Sequence, residues 1–264
     1  MLELTDISLT FGRGTPLARP ALRGVSLRLE EGQFACLVGS NGAGKSTLLG
    51  VAAGTHRPDQ GRVRIGSRDV TRLPEHRRAV LVGRVFQDPL QGTAPNLTVE
   101  ENLALAADRG KRRGLGPLLG RARRAWLRER LESLGLGLES RLSVRVGMLS
   151  GGQRQALTLL MATLARPEVL LLDEHTAALD PATASRVADL TWRLAEELRL
   201  TTLMVTHNLE QAIGLGHRLV MMHEGEIILD LHGAQKAGLT VSGLRHEFER
   251  ARGTSFAYDR AVLA

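Results

Sequence analysis

The stretch GSNGAGKST at residues 39–47 combines glycines at 39, 42 and 44 with Lys45 and the hydroxyls of Ser46 and Thr47. It fits the spacing G-x-x-x-x-G-K-[ST] and follows the apolar run FACLV, so it falls where a buried strand turns into a helix. Backbone this rich in glycine can point its N–H groups inward around a β-phosphate, and the helix that follows adds its positive N-terminal end. Lys45 would reach the β- and γ-phosphates, and the Ser46 hydroxyl would bind Mg²⁺. The plain alternative is a tight strand-to-helix turn with no ligand. Lysine and hydroxyl both at the required offset speak against it.

A phosphate cradle needs an acid-bearing strand beside it, and VLLLDE at 169–174 has that form. Asp173, at the carboxyl end of the run, is the candidate to hold Mg²⁺, largely through its water shell. Glu174 projects differently and is the candidate to orient an attacking water or accept its proton. Many strands end in acids, so the pair takes its meaning from the cradle. Together the two segments point to a nucleotide-hydrolysing site.

LSGGQ at 149–153 narrows the class, because here the sequence resembles the ATP-binding cassette (ABC) family, whose signature that pentapeptide is. Ser150 is placed to cap a helix, and Gly151 and Gly152 expose backbone donors at its N-terminus, so with Gln153 the segment is a second anion site. The resemblance implies a homodimer in which each nucleotide lies between one subunit's cradle and the other's signature. It makes Gly39, Ser40, Asn41, Gly42, Ala43, Gly44, Lys45, Ser46 and Thr47 ATP-binding residues, with ATP and Mg²⁺ as cofactors. VFQDP offers Gln87, whose amide in such proteins contacts Mg²⁺ or the attacking water and which lies beside the docking groove for a membrane partner; Ser46, Asp173 and Gln87 form the implied metal set. AALD ends at Asp180 and matches the loop that crosses to the other subunit's site. VTHN offers His207, which in the family bridges the γ-phosphate and the catalytic glutamate, so the implied catalytic residues are Glu174, His207 and Gln87. Phe11 stands where an aromatic stacks on adenine, although GRGTPLARPA blurs the register to the next strand.

One departure from the family pattern is His175, which takes the place of the usual proline and sets a titratable group beside Glu174. DEHTAALD, GTAPNLTVEENLALA and TTLMVTHNLEQAI are similar to a subgroup of bacterial importers of uncharacterised or aromatic amino acid substrates that work with a lipoprotein-type substrate-binding protein. The implied function is the energising subunit of a transporter. It would sit on the cytoplasmic face of the membrane through integral permease subunits, with the extracytoplasmic binding protein acting indirectly.

The elements that must position these residues are legible from periodicity. Residues 1–38 alternate in short runs and predict strands, the last of them buried. Thr98 and Glu101 form a capping-box pattern ahead of VEENLALAAD, a further helix is expected over about 121–134, and another runs from Ser150 until Pro167 prevents its extension. Asp180 and Pro181 open a helix with Val187, Leu190, Leu194 and Leu198 on one face. TTLMVTH reads as a buried strand, and RLVMMHEGEIILD as a hairpin turning at Glu224 and Gly225. The expected fold is α/β: a P-loop core with a mainly parallel sheet, an N-terminal antiparallel β-subdomain and an inserted helical subdomain at about 88–166 carrying the signature. Residues 1–264 would form one ATPase domain, with 233–264 a short helical tail.

Composition sets the outer limits. With 43% hydrophobic residues over 264 positions the chain can bury a substantial core, and no apolar run approaches the roughly 18 residues needed to cross a bilayer. Cys36 is the single cysteine and sits in FACLV, so it reads as a buried strand residue with no disulfide to close. The net charge of +7 could suit nucleic acid or an anionic membrane surface, but aromatics at 3% argue against a stacking platform for single strands, and no nucleic acid partner is expected. The rival class, a cassette ATPase acting on DNA or ribosomes, would carry a coiled-coil insertion, a zinc module or a second cassette, and none is visible. The basic cluster RGKRRGLGPLLGRARR at 109–124 reads as a solvated loop leading into a helix.

Overall fold

The computed structural model describes residues 1–111 and 118–252. Strands β1 (Leu2–Phe11) and β2 (Arg19–Leu29) form an antiparallel pair. Next come β3 (Phe34–Gly39), helix α1 (Lys45–Ala53), strands β4 (Gln60–Ile65) and β5 (Arg68–Asp69), the single turn α2 (Glu75–Arg78) and β6 (Val82–Val85). Helices α3 (Val99–Ala107), α4 (Arg121–Glu132) and α5 (Gly151–Thr163) precede β7 (Val169–Asp173), α6 (Pro181–Glu197) and β8 (Thr201–Val205). The described chain closes with α7 (Leu209–Gly214), β9 (Arg218–His223), β10 (Glu226–His232) and α8 (Val241–Arg252).

Two sheets result. One is antiparallel in the order β2-β1-β4-β5; the other runs β10-β9-β3-β8-β7-β6, parallel except for the β9–β10 hairpin. The uninterrupted apolar runs of β3, β7 and β8 are what a parallel sheet covered on both faces requires. Side-chain alternation splits them between two cores. Phe34, Cys36, Val38, Leu170 and Leu172 face the helical layer of α3 to α6 and α8, while Ala35, Leu37, Val169 and Leu171 face α1 and the antiparallel sheet.

The expected α/β architecture is present, and Cys36 is buried. Both ends of the capping box form: Glu101 N donates to Thr98 Oγ1 at 3.3 Å, and Thr98 N to Glu101 Oε2 at 2.7 Å. Glu224 (φ 46) and Gly225 (φ 84) make the tight hairpin turn with the two positive φ values that its twist demands. Sequence periodicity did not bring out β4 and β5. β4 is a half-polar strand whose long pairing is with β1, more than fifty positions away, and β5, the neighbour with which it also pairs, is only two residues long. Residues 112–117 of the basic cluster lie outside the described residues. Of its described part, Arg109 donates to Ala162 O at 2.9 Å, and Arg124 Nε, on a side chain 52% exposed, bonds Glu100 Oε2 at 2.8 Å, so these arginines also tie helices together.

The helix that follows the cradle is held at its far end by Arg78, which is 1% exposed. Its guanidinium donates to Val51 O (2.7 Å), Ala52 O (3.0 Å), Leu73 O (2.9 Å) and Thr71 O (3.1 Å). A cation at the C-terminal carbonyls of α1 also matches the helix dipole. Burial lowers its pKa to about 10, so it stays charged at neutral pH. Arg78→Lys should lower the unfolding free energy in urea titrations by on the order of 2 kcal/mol, because one compact ammonium cannot satisfy four spread carbonyls. A change below about 0.5 kcal/mol would show that these carbonyls find other partners.

Candidate functional site

The C-terminal ends of the parallel strands lie level: Leu37 of β3 and Asp173 of β7 both pair with Val205 of β8, and Val85 of β6 pairs with Leu172. Loops leaving these ends share one edge of the sheet, the position where open α/β sheets bind ligands.

The first loop is 39–44. Gly39 has φ 148, and a Cβ there would sit 2.1 Å from Met222 O; Gly44 has φ 99, and its Cβ would lie 2.6 Å from Ala21 O. Only glycine lets the loop fit between β9 and β2. Lys45, 6% exposed, donates from Nζ to Gly39 O at 2.7 Å and Ser40 O at 3.0 Å. Its pKa is lowered, first by burial, with Glu174 and Asp173 pulling it back up.

Ser46 Oγ donates to Asp173 Oδ1 at 3.0 Å, joining the start of α1 to the end of β7. Burial raises the Asp173 pKa, and the Ser46 hydrogen bond and the nearby Arg84 and Lys45 charges oppose it. A hydroxyl and a carboxylate in contact, the latter partly buried, form a hard-oxygen pair suited to a small divalent cation that retains several waters. Among the described residues there is no cluster of three or more His, Cys, Asp and Glu side chains that would hold a metal by themselves. The donor set therefore fits Mg²⁺ shared with a ligand.

Glu174 sits at φ 44, unusual for a residue with a side chain, and is fixed by its N–H to Val205 O at 3.0 Å. Such a conformation costs on the order of 1 kcal/mol and is found where geometry matters more than local ease. It separates the two acids: Asp173 turns to Ser46, whereas Glu174 reaches the cradle's depression and places Oε2 3.6 Å from His207 Nδ1. His175, by contrast, is 2% exposed and points into the helical layer, its Nε2 2.9 Å from Thr191 Oγ1. The Thr191 hydroxyl donates to Val187 O at 2.7 Å, which leaves Nε2 as the donor in this pair, and burial keeps the ring neutral near pH 7.

A depression of about 280 Å³ over the cradle is lined by Phe11, Arg19, Ala21, Asn41 to Thr47 and Glu174. Phe11 is 42% exposed, with its ring edge-on to His56 at 5.3 Å. Arg19 was missed in the sequence. It is the cross-strand partner of Phe11, and its Nη2 lies 3.4 Å from where a Cβ of Gly42 would stand. Only the β1–β2 register could have found it, and the intervening turn hides that register.

The signature lies elsewhere. Ser150 caps α5, accepting from Gln153 N at 3.3 Å, and a Cβ on Gly152 would meet Thr183 Cγ2 at 2.3 Å. Ser150, Gly152 and Gln153 line a separate depression of about 490 Å³ with Thr183 and Arg186 of α6. Asp180 caps α6 through Thr183 N at 3.1 Å, and these hydrogen bonds lower its pKa. Gln87 is exposed two residues past β6, and lines neither depression. Its loop is anchored by the buried Gln155 of α5, which donates to Phe86 O at 3.2 Å.

The chain is similar to proteins of known families. Residues 22–177 match the ABC transporter family. A tyrosine transport ATP-binding protein of Clostridioides difficile is 44% identical over 251 residues, 95% of this chain and 100% of that protein. A methionine import ATP-binding protein, MetN, of Rhizobium etli is 37% identical over 86% of this chain and 60% of its own length. Among solved structures, the dimeric post-hydrolysis state of the ATP-binding cassette MJ0796 bound to ADP and Pi shares 30% identity, with a TM-score of 0.76 over 88% of this chain and 98% of that one.

Burial lowers the His175 pKa from 6.5 to about 4. The unfolded chain therefore takes up this proton as pH falls through 6.5 while the folded chain refuses it until near 4, so stability present above pH 6.5 is lost across that window. His175→Asn should flatten the pH dependence of the unfolding free energy between about pH 6.5 and 4, a span on the order of 3 kcal/mol for such a shift. Equal slopes in both proteins would remove His175 as the cause.

Proposed function

The chain belongs to the ABC transporter family of ATP-binding cassettes, and from that premise we propose that two copies close around two Mg·ATP to drive import of an aromatic amino acid through membrane permease chains. ATP binding and hydrolysis are the activity of the family's cassettes and of this chain. The substrate class rests on the relative named for tyrosine transport, which this chain matches along its full length. An extracytoplasmic binding protein would deliver the amino acid, and the cassette would work from the cytoplasmic face of the membrane; among the described residues no helix is long and apolar enough to cross it.

The observation that carries the paired arrangement is that one protomer presents two glycine-containing loops, each leading into a helix N-terminus, on separate depressions. A triphosphate seated on residues 39–47 meets Lys45, the N-terminus of α1 and Arg19, but no donor of its own chain's Ser150, Gly151, Gly152 or Gln153. A second copy turned head to tail would supply those N–H groups.

Within that sandwich each residue has a limited task, since phosphoryl transfer is governed by positioning and charge. Lys45 moves its ammonium from the loop carbonyls to the β- and γ-oxygens. Ser46 and Asp173 would hold Mg²⁺, with the Gln87 amide approaching on closure; the bound cation neutralises charge on the transferring phosphate. Glu174 takes the proton of the attacking water. His207, beside it, aligns that carboxylate and faces the γ-phosphate. Phe11 offers its ring to adenine. Repulsion between ADP and phosphate then favours opening.

Glu174→Gln should keep ATP affinity, lower turnover by about a hundredfold or more, and hold a dimer in ATP by light scattering. Wild-type turnover in that variant would remove Glu174 as the base. Lys45→Ala should weaken ATP binding by about tenfold or more in equilibrium titration. Vesicles carrying the permease and binding protein should show ATP turnover stimulated by tyrosine and not by methionine; the reverse selectivity would overturn the substrate class.

A further inference from the structure

The wall behind the phosphate loop is the turn between β9 and β10. Gly225 N donates to Ala43 O at 3.1 Å, Met222 O closes on Gly39, and the buried Ser40 hydroxyl lies 3.3 Å from His223 Nδ1. Ser40 also offers its carbonyl to Lys45 Nζ at 3.0 Å. His223 therefore grips the side chain of the residue whose backbone holds the phosphate-binding lysine. The same imidazole meets the ring of Phe248 edge-on, with centroids 5.7 Å apart at 89°. Phe248 belongs to α8, is 6% exposed, and packs in the helical-layer core with Leu244. The segment leading to α8 is itself tied down, because the buried Lys236 donates to Gly216 O at 2.6 Å and to Leu215 O.

We propose that α8 is a positioning element for nucleotide binding: Phe248 fixes the His223 ring, His223 fixes Ser40, and Ser40 keeps the loop and Lys45 in the shape that receives phosphate. This rests on the reading of 39–47 as the ATP cradle. The physical reason is that a glycine-rich loop has few side chains of its own to hold it. Ordering it before the nucleotide arrives removes that entropy cost from binding. The effect belongs to ground-state affinity, so it should appear in KM and Kd, with kcat little changed.

The test uses the full chain with His223→Ala, Phe248→Ala, the double variant and Phe248→Leu, titrated with ATP and with ADP and followed in steady-state hydrolysis. Each alanine variant should raise Kd for both nucleotides about three- to tenfold. KM should follow, kcat at saturating ATP should stay within about twofold, and the double variant should match the weaker single. Phe248→Leu, which keeps the apolar filling and lacks the ring edge, should melt close to the parent yet bind like Phe248→Ala. Unchanged affinity in a folded His223→Ala, parent-like affinity in Phe248→Leu, or multiplying effects in the double variant would each overturn the proposal. Lys45→Ala separates the two levels. If it loses ATP while these variants do not, the cradle stands and the role of α8 falls; if it too binds normally, the cradle reading fails first.

Discussion

The chemistry of this chain depends on parallel register. β3, β7 and β8 are locked so that Leu37, Val205 and Asp173 end at one level, and each strand releases a different functional loop there. A slip of one residue in β7 would exchange the two cores, sending Leu170 and Leu172 to the face now filled by Leu171 and turning Asp173 away from Ser46. Register is protected because both faces are buried: neither set of side chains could be moved to the other side without leaving holes in one core and crowding in the other. The sheet thus brings the Ser46 hydroxyl to the Asp173 carboxylate, 127 positions away, with Glu174 next to it, by packing that does not involve these polar groups.

On this frame the charges are balanced with little margin. Lys45 is buried among backbone carbonyls, and its loss of hydration is offset by Glu174 and Asp173. Asp173 suffers the converse, burial working against its charge while Ser46 and two cations support it. Before nucleotide arrives, lysine and acids sustain one another. In the proposed complex a phosphate chain with its cation would replace that arrangement by a stronger one of the same kind, cation against oxygen at each contact. The site is in this sense built for exchange of partners, which explains why Lys45 rests on carbonyls of its own loop rather than in an ion pair it would have to break.

What could be read in the sequence was whatever the backbone dictates over a few residues. The glycine-rich loop, the Thr98–Glu101 capping box, the Ser150 and Asp180 caps and the Glu224–Gly225 turn are local geometry, and local geometry leaves contiguous marks. Arg19, Gln155 and His223 left no such marks, because each acts through a partner between 23 and 183 positions away: Gly42, Phe86 and Ser40 respectively. β4 escaped for the same reason, its partner being β1. His175 was visible as a departure from the family pattern, but its meaning was not. Adjacent to Glu174 in sequence, it is separated from it by the positive φ that turns the glutamate toward solvent and leaves the imidazole in the core.

That same turn bears on the paired arrangement proposed above. Positive φ at Glu174 brings its carboxylate, 22% exposed, to the cradle's depression beside the more open His207. The depression is open on its outer side, so for Glu174 acting as the proposed base nothing of its own chain on that side would favour the one water in line with a γ-phosphate over its neighbours. Enclosure must come from a surface that also brings donors for the phosphate oxygens, since covering the site with apolar atoms would desolvate several negative charges without compensation. The N-terminus of α5 meets that requirement with its exposed backbone donors, and its own fold holds it against α6, away from its own cradle. In the proposed dimer a second copy of the same helix end is therefore the enclosure that suits the charge, and closing on the nucleotide and completing the surroundings of Glu174 would be one event.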